Sequence, residues 1–281
     1  MVTNMQAERA QVVLPPRPAT PGAKIMRVVW WIVIVALGAY IALALKQTEF
    51  NLLKLLEGGA SAREILTQII HPDWSILGKL LVLMNETVEI ALIGTLIAII
   101  ISFPLSFLAA KNLMLGTQQG RAVYALVRLI FNVLRAFEPV LLAVLFVLMV
   151  GIGPFPGVLA LGLHSVGMLG KLFSEAIEGI DQGPVEAIQA CGGNRFQVIW
   201  YGILPQVAPA FLALSIYRWD VNIRMSIVLG IVGAGGIGFM LLQYMNLLQY
   251  EKVATAFIII LVVVTALDYA SAWLRTRLGQ R

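Results

Sequence analysis

Residues 186–205 read EAIQACGGNRFQVIWYGILP, a polar stretch that separates two strongly apolar parts of the chain. A helix can begin just before it at Gly183-Pro184, because proline in the first turn of a helix has no N–H group to leave unpaired. Gly192-Gly193 then ends this helix, since glycine readily adopts the left-handed conformation that closes a helix. The first half of the stretch therefore predicts one short helix of about two turns.

The second half of the stretch predicts another short helix. Asn194 can cap it with its side-chain oxygen, and Gln197 stands where the partner of a capping box is found. Leu204-Pro205 is expected to end this helix and to begin the next apolar segment, because proline interrupts a helix. Two short helices at an angle, held against the inner face of a membrane, are the predicted result. Their apolar side would consist of Phe196, Ile199 and Trp200.

The composition of the whole chain predicts a membrane protein. Of its 281 residues, 59% are hydrophobic and 12% are charged, and the mean hydropathy is +0.88. Soluble domains contain roughly 45–50% apolar and about 25% charged residues. The basic residues stand at the ends of apolar runs and form no basic face, which argues against nucleic-acid binding. The single Cys191 excludes a disulfide framework and a cysteine metal cluster, and the sequence contains no catalytic or metal-binding set.

Apolar runs and their flanking charges predict about six membrane-spanning helices in an all-α, polytopic bundle. Basic residues dominate both the segment before the first run and the end of the chain. The positive-inside rule therefore places both termini in the cytoplasm and requires an even number of spans. Each span needs about 20 mostly apolar residues. The predicted spans cover about 28–46, 83–110, 121–150, 155–178, 206–228 and 253–274.

The fifth predicted span carries charged residues. Such residues cost about 2.5–3.5 kcal/mol each at the centre of a membrane helix, so they normally face a cavity or a partner. Arg218 and Asn222 are four residues apart, as are Asp220 and Arg224, and each pair therefore shares a helix face. If the span begins near Pro205, Arg218 lies about 20 Å into the membrane and Arg224 nears the outer surface.

His164, in the fourth predicted span, is expected at a depth similar to that of Arg218. One interpretation is that these groups line a pathway for an anion, with Ser165 and Ser215 as further donors. The other is structural: Asp220 neutralises an arginine, and His164 is a packed, hydrogen-bonded residue. The candidate pathway residues are His164, Ser165, Ser215, Arg218, Asn222 and Arg224.

Pro139 stands inside the long third span and should kink it. Arg135 and Glu138 precede it and are three residues apart. These two residues could form a salt bridge across the kink. Alternatively, Arg135, Glu138 and Pro139 could act as a hinge or gate, and the sequence leaves both interpretations open.

The segment VGAGGIG contains Gly233, Gly235 and Gly238 in a G-x-G-x-x-G pattern. A dinucleotide site with this pattern requires a preceding strand and a following helix in a soluble βαβ unit. Here the flanking segments are apolar parts of a membrane protein. The pattern therefore predicts close helix packing or a re-entrant turn at the outer side of the membrane.

Glu186-Ala187, Gly192 and Leu204-Pro205 resemble, in type and spacing, the "EAA" loop of ABC importer permeases. In that family this loop is the coupling helix, which docks into a groove on a cytoplasmic ATPase. The chain departs from the family pattern at Ile188, where the pattern has alanine, and at Gly202, where it has an aliphatic residue. The resemblance assigns ATPase contact to Glu186, Ala187, Gly192, Gly193, Arg195, Leu204 and Pro205.

Three further segments, residues 85–113, 134–161 and 217–238, are similar to the phosphonate/phosphate branch of these permeases. The resemblance implies a type I ABC importer permease fold in a bacterial inner membrane. It implies that two copies of the chain work with a cytoplasmic ATPase dimer, an extracytoplasmic substrate-binding protein and the surrounding membrane lipid. ATP and magnesium would be bound by the ATPase, with no cofactor in this chain, which is then a transport subunit and not an enzyme.

On this resemblance, residues 28–275 form the transmembrane permease domain. Within it, residues 47–82 are extracytoplasmic and residues 179–205 are the cytoplasmic coupling loop. Residues 1–27 are expected to be a disordered cytoplasmic segment, and residues 276–281 a cytoplasmic tail.

The predicted function is the permease subunit of an ATP-driven importer for phosphonate or a related phosphorus oxyanion. One alternative is a permease of the same superfamily for another substrate, such as methionine. A second alternative is a membrane-embedded enzyme or an ion-coupled transporter that works alone. The isolated Glu-Ala…Gly…Leu-Pro loop argues against this second alternative, because neither protein would need a contact surface for an ATPase.

Overall fold

The computed structural model describes residues 21–48 and 59–279. The described chain is helical and contains no strand. A 3-10 turn, Trp74–Ile76, precedes the third helix, and a π-helical turn, Val198–Ile203, joins the ninth to the tenth. In chain order the helices are α1 Pro21–Gln47, α2 Gly59–Ile69, α3 Leu77–Leu108, α4 Lys111–Met114, α5 Gln118–Ala136, α6 Pro139–Val150, α7 Pro154–Glu178, α8 Gly183–Ala190, α9 Arg195–Gln197, α10 Leu204–Ile231, α11 Gly236–Asn246 and α12 Tyr250–Gly279.

Five helical stretches of the described chain are long and apolar enough to cross a membrane, and six if the bent pair α5 and α6 is one span. The prediction of about six spans in an all-α fold is therefore confirmed. Between the first two spans, α2 and the 3-10 turn lie within the segment 47–82, of which residues 49–58 lie outside the described chain.

The ends of the chain differ from the predicted boundaries. Helix α1 begins at Pro21, so residues 21–27 are helical although they were predicted to be disordered; residues 1–20 lie outside the described chain. Helix α12 continues to Gly279, so residues 276–279 extend the last helix instead of forming a separate tail. Both helices run past their apolar segments because no glycine or proline ends them there.

The core of the bundle depends on close contact between α3 and α7. A Cβ atom on Gly94 would lie 3.0 Å from the Cβ of Leu161 and 3.3 Å from the backbone nitrogen of Gly162. Small residues thus let the two backbones approach, as is common between membrane helices. Near the other end of α7, the ring of Phe173 stacks on that of Phe211 in α10, with centroids 4.1 Å apart.

Glycine turns close the predicted outer side of the bundle. Gly151 and Gly153 have φ values of 99° and 152° and connect α6 to α7. Gly153 N–H donates to the carbonyl of Gly233 at 3.0 Å, so this turn is tied to the one after α10. A Cβ atom on Gly238 would lie 1.9 Å from the carbonyl oxygen of Ile227. The G-x-G-x-x-G segment is therefore a turn with close helix packing, as predicted.

Helix α11 folds back against α3 after this turn. Its first two N–H groups find acceptors on α3: Gly236 donates to Glu86 Oε1 at 3.2 Å, and Ile237 donates to Thr87 Oγ1 at 2.9 Å. Two of the N–H groups that the start of every helix leaves unpaired are thereby satisfied. With only 11 residues, α11 is too short to span a bilayer and is the predicted re-entrant element.

Candidate functional site

The coupling loop (residues 179–205) has the helix–glycine–helix geometry that its sequence predicts. Gly192 ends the first helix with a φ of 81°, a conformation that disfavours other residues. Asn194 Oδ1 accepts a hydrogen bond from the backbone N–H of Gln197 at 2.9 Å, and Gln197 Oε1 accepts one from the N–H of Asn194 at 2.8 Å. The predicted capping box is therefore confirmed.

The predicted helix end at Leu204-Pro205 is wrong. Helix α9 continues through the π-helical turn into α10, and the N–H of Leu204 donates to the carbonyl of Ile199, five residues back. An α-helix would place the ring of Pro205 against the carbonyl four residues back, and the wider π-turn relieves that clash. One continuous helical stretch therefore runs from the coupling loop into the span that carries Arg218.

The outer surface of the coupling loop is available to a partner. Glu186, Ala187 and Arg195 are exposed, and within the described chain their side chains make no hydrogen bond or ion pair. Phe196 and Trp200 are also exposed, with relative accessibilities of 71% and 52%, and their rings are stacked with centroids 6.1 Å apart. The loop thus combines unpaired charges with a flat aromatic surface.

A different set of residues attaches the coupling loop to the bundle. Val185, Val198 and Ile203 are buried in the core cluster that includes Phe131 and Phe173. Sequence reasoning missed these three and assigned the apolar side to Phe196, Ile199 and Trp200. Only Ile199 faces the core, in a half-buried position. The error arose because aromatic side chains suit both a protein core and a binding surface.

The two departures from the family pattern compensate each other in the structure. A Cβ atom on Gly202 would lie 3.2 Å from Cδ1 of Ile188, and one on Gly193 would lie 2.6 Å from Cγ2 of Ile188. The larger side chain at 188 therefore occupies the space that an aliphatic residue at 202 would need. Close packing of interiors explains why the two changes occur together.

Polar bonds that the sequence did not predict fix both ends of the coupling loop. Asp181 N–H donates to Gln206 Oε1 at 3.0 Å, and Gln206 Nε2 donates to the carbonyl of Asp181 at 3.2 Å. Just before the loop, Glu178 Oε1 accepts from Arg128 Nη2 at 2.7 Å and from the backbone N–H of Lys111 at 2.8 Å. These partners are too distant in the sequence for a spacing pattern to reveal them.

Thr95, Ser165, Arg218 and Asn222 meet between α3, α7 and α10, and we call them the buried polar cluster. Arg218 Nε donates to Ser165 Oγ at 2.9 Å. Asn222 Nδ2 lies 2.8 Å from Thr95 Oγ1 and 3.0 Å from Ser165 Oγ. The predicted shared face of Arg218 and Asn222 is confirmed, and Ser165 lies against it. Thr95 was missed because a threonine in an apolar helix gives no signal by itself.

Arg218 has hydrogen-bonding capacity that the cluster leaves unused. Its Nη2 atom is buried and has no partner in the described part of the chain. Leaving a buried donor unsatisfied costs about 1–3 kcal/mol, and more for a charged group. An anion that reached this nitrogen would remove that cost. All buried side-chain atoms of the described residues without a partner belong to α10 and α12: Arg218 Nη2, Trp219 Nε1, Asp220 Oδ1, Ser226 Oγ and Ser271 Oγ.

Two candidate pathway residues lie outside the buried polar cluster. Ser215 Oγ donates to the carbonyl of Phe211 at 2.7 Å, so its hydrogen is used within its own helix. His164 is half-buried, and its Nδ1 lies 2.9 Å from the carbonyl oxygen of Phe137. His164 therefore connects α7 to the break between α5 and α6, which agrees with the interpretation of a packed, hydrogen-bonded histidine.

The kink predicted at Pro139 is confirmed and is larger than a simple bend. Helices α5 and α6 meet at 85°. Arg135 and Glu138 form no ion pair across this break in the described chain, so the salt-bridge interpretation is wrong. Arg135 Nε instead lies 3.1 Å from the sulfur of Met168 in α7. The break is thus attached to α7 at both Phe137 and Arg135.

Arg224 forms the predicted ion pair with Asp220, with Nη2 and Oδ2 3.0 Å apart. Its Nη1 also donates to Asp268 of α12, a partner that the sequence did not suggest. Asp268 stands 18 residues after Tyr250, or about 27 Å along α12. Arg224 itself lies seven residues, or about 10 Å, before the end of α10, and its position near the outer surface stays a prediction.

Residues 21–48 and 59–279 contain no group of three or more histidine, cysteine or acidic side chains that could hold a metal ion.

Comparison with known proteins gives consistent results. Residues 102–281 match a family described as "Binding-protein-dependent transport system inner membrane component". The chain is 42% identical over 221 residues to "Phosphite transport system permease protein PtxC" of Stutzerimonas stutzeri, which covers 79% of each protein. It is also 42% identical over 221 residues to "Phosphate-import permease protein PhnE" of Mycolicibacterium smegmatis, which covers 79% of this chain and 41% of that one.

Among solved structures, a chain of the MetNI methionine ABC transporter in an inward-facing conformation has a similar fold. The TM-score is 0.64 at 21% sequence identity, and the match covers 73% of this chain and 99% of that chain. At this level of identity the match concerns the fold alone.

Proposed function

We propose, from the premise that this chain belongs to the family of binding-protein-dependent transport system inner membrane components, that it is the permease subunit of an ATP-driven importer for a phosphorus oxyanion. The family and the similarity to the MetNI chain confirm the predicted ABC importer permease fold. The protein is a multi-pass protein of the bacterial inner membrane. We place both of its termini in the cytoplasm, on the charge pattern of the sequence.

The substrate class rests on one observation: the 42% identity, over most of both chains, to a permease named for phosphite. The buried Arg218 supports it, because a guanidinium with an unpaired nitrogen suits a phosphonate, phosphate or phosphite oxygen. The alternative substrate methionine has weaker support, since identity to the methionine transporter chain is 21%.

The coupling loop is the proposed contact for the ATPase. Its exposed Glu186, Arg195 and stacked Phe196–Trp200 pair offer charge and aromatic area to a partner. We assign the contact to the predicted residues Glu186, Ala187, Gly192, Gly193 and Arg195. Leu204 and Pro205 take a different role, since they join the loop to α10. ATP and magnesium are bound by the ATPase, which closes as a dimer under two copies of this chain.

Helix α10 is the proposed mechanical link between ATPase and pathway. From Arg195 to Arg218 the chain is continuously helical, a length of about 34 Å. Movement of the coupling loop is therefore transmitted to the buried polar cluster, where Ser165, Arg218 and Asn222 line the anion pathway. The break at Pro139, held by His164, serves as the hinge about which α6 moves. The substrate-binding protein delivers the anion from the opposite side of the membrane.

Reconstitution tests this function. The chain is incorporated into liposomes with its partner ATPase and substrate-binding protein, and uptake of radiolabelled phosphate, phosphite, methylphosphonate and methionine is measured. We expect ATP-dependent uptake of at least one phosphorus oxyanion and none of methionine. Uptake by the chain without the ATPase would instead establish an ion-coupled transporter that works alone, and uptake of methionine only would assign the other substrate class.

A further inference from the structure

A groove of about 430 Å³ opens between α10 and α12 and is lined by residues that include Asp220, Arg224, Asp268 and Arg275. We propose that this α10–α12 groove binds a phosphorus oxyanion, and that Asp268 pairs with Arg224 in the anion's absence and releases it when the anion binds. The site is distinct from the buried polar cluster, which lies on the α3 and α7 side of α10.

The two carboxylates that pair with Arg224 are not equivalent. Asp220 is on the same helix, four residues earlier, and only 7% of its side chain is exposed, whereas 46% of the Asp268 side chain is exposed. Asp220 is therefore a fixed partner. Asp268 belongs to another helix, and its half-exposed side chain can turn away from Arg224. Asp268 is bonded through Nη1 of Arg224 only, because Nη2 is bonded to Asp220, and one oxygen of a phosphorus oxyanion can take its place at Nη1.

The exposure of these charges indicates that lipid tails do not cover the groove. The side chain of Arg224 is 42% exposed, and both it and Asp268 belong to segments that cross the membrane. Charged side chains in such segments face the bundle interior, a water-filled cavity or a partner, because contact with hydrocarbon is costly. In the membrane the groove is therefore covered by water, a polar ligand or the second copy of the chain, and not by lipid tails.

A second arginine makes the groove suitable for an anion. Arg275 lies four residues before the end of α12, and its guanidinium is 5.4 Å from the ring centroid of Tyr217 in α10. It forms no ion pair within the described residues, so its charge is unneutralised. Once Asp268 turns away, two arginines face one fixed aspartate, and the groove carries a net positive charge.

The unsatisfied oxygen of Asp220 points independently to a ligand. Asp220 is 5% exposed, and its Oδ1 is buried without a donor in the described chain. A fully deprotonated carboxylate pair cannot supply that donor. A protonated oxyanion such as hydrogen phosphate carries a P–OH group, which provides one.

The phosphorus oxyanion has two possible sources: the transported anion or the headgroup of an anionic phospholipid. Its identification with the transported anion rests on the proposed function. Arg275 stands near the end of the last span, where a phospholipid headgroup can reach it. Both ligands share the phosphate chemistry that the two arginines recognise, and the following measurements separate them.

The experiment uses the purified permease–ATPase complex in phosphatidylcholine nanodiscs, without the binding protein. Binding of radiolabelled inorganic phosphate and phosphite is measured by equilibrium dialysis, and retained phosphatidylglycerol by native mass spectrometry. Removing the competing carboxylate with Asp268→Asn should tighten binding about tenfold, equivalent to about 1.4 kcal/mol. Arg275→Gln should weaken it by a similar factor. Asp73→Asn, which changes a half-buried carboxylate outside the groove and keeps an oxygen for the N–H of Ser75, is the matched control and should have no effect.

Arg218→Gln is added to each variant, so that a surviving effect belongs to the groove and not to the buried polar cluster. Tighter phosphate and phosphite binding in Asp268→Asn assigns the groove to the transported anion. Greater retention of phosphatidylglycerol, without competition by phosphate, assigns it to a headgroup. The proposal is overturned if folded Asp268→Asn binds the phosphorus oxyanions and phosphatidylglycerol like the protein that carries Arg218→Gln alone. It is also overturned if Asp268→Asn binds them as weakly as Arg275→Gln does.

The outcome also separates this site from the proposed function. If the wild-type complex takes up a phosphorus oxyanion normally and binding is unchanged in the groove variants, the groove proposal is disproved and the transport function stands. If the complex transports no phosphorus oxyanion but its retention of phosphatidylglycerol changes in Asp268→Asn, the proposed transport function is disproved and the groove proposal stands.

Discussion

The coupling loop and the buried polar cluster are joined by one continuous helical stretch, yet they differ in the exposure and pairing of their polar side chains. In the loop, Glu186 and Arg195 are exposed and unpaired within the described chain. In the cluster, Asn222 is fully buried and forms hydrogen bonds to two residues, while a buried nitrogen of Arg218, Nη2, has no partner in the described chain. The difference agrees with the proposal that the loop contacts another protein, whereas most polar atoms of the cluster are bonded within the chain.

This difference determines what a substitution should do in each region. A change on the exposed side of the loop removes a contact with a partner and leaves the fold intact, because surface substitutions usually alter stability by less than about 0.5 kcal/mol. A change in the cluster leaves buried donors or acceptors unpaired, at about 1–3 kcal/mol each. Transport and folding should therefore separate in the loop, and they should be linked in the cluster wherever a replacement loses an internal hydrogen bond.

Chemical labelling should give the largest difference between the exposed coupling loop and the buried polar cluster. In a Cys191→Ser background, Arg195→Cys should react with a membrane-impermeant thiol reagent only from the cytoplasm, and Phe155→Cys only from the outside, since both side chains are exposed. Asn222→Cys should remain unlabelled from either side. Labelling of positions 195 and 155 from the same side would disprove the six-span topology.

Arg218→Gln should have the next largest effect. Glutamine can still donate to Ser165, so assembly and basal ATPase activity should persist, but the cationic group offered to the anion is lost. Uptake, normalised to the amount of permease in the membrane, should fall by about tenfold or more, as expected for the loss of a charge-assisted bond. Unchanged uptake would identify Arg218 as a purely structural charge.

Two loop variants should reduce uptake several-fold without loss of insertion. Glu186→Lys reverses an exposed charge, and Gly192→Leu forces a side chain into a φ of 81°, which costs about 1–2 kcal/mol. Both should weaken ATPase binding or separate ATP hydrolysis from transport in the reconstituted complex. Glu251→Lys, an equal charge reversal at an exposed position near the opposite membrane surface, serves as the control. Normal coupling in both variants would show that the loop does not bind the ATPase.

The Asp220–Arg224 pair offers a smaller effect, on folding. Asp220→Asn leaves Arg224 with only the exposed Asp268, and the amount of folded protein should fall by about half or more. Adding Arg224→Gln should partly restore it, because the uncompensated charge is then absent. Size-exclusion chromatography of the detergent-solubilised protein measures both. Failure of the double variant to recover would mean that Asp220 stabilises the fold through other contacts.

The compensation between Ile188 and Gly202 should give the smallest effect. Gly202→Val introduces a clash with Cδ1 of Ile188, and overpacking of this kind costs about 1–3 kcal/mol. The double variant Ile188→Ala with Gly202→Val should recover most of the lost thermal stability. Additive losses in the double variant would show that the two positions do not share one space.

Local features of the loop and of the glycine turns were predictable, because they depend on near neighbours. The Asn194–Gln197 capping box, the end of α8 at Gly192 and the kink at Pro139 all follow from residues within a few positions of each other. The helix end predicted at Pro205 failed for the opposite reason. Its π-turn is held by packing of Val198 and Ile203 against distant helices, and this packing outweighs the local signal.

By itself, the sequence determined the class of the protein, its approximate number of spans and the shape of the coupling loop, since hydropathy and turn chemistry are local properties. Only the tertiary structure decided which polar groups meet. Thr95 reaches Asn222 across 127 residues, Asp268 joins Arg224 across 44, and Arg128 joins Glu178 across 50. Helix packing determines these partners, because it brings together helix faces that are far apart in the sequence. No spacing pattern along the chain predicts such contacts.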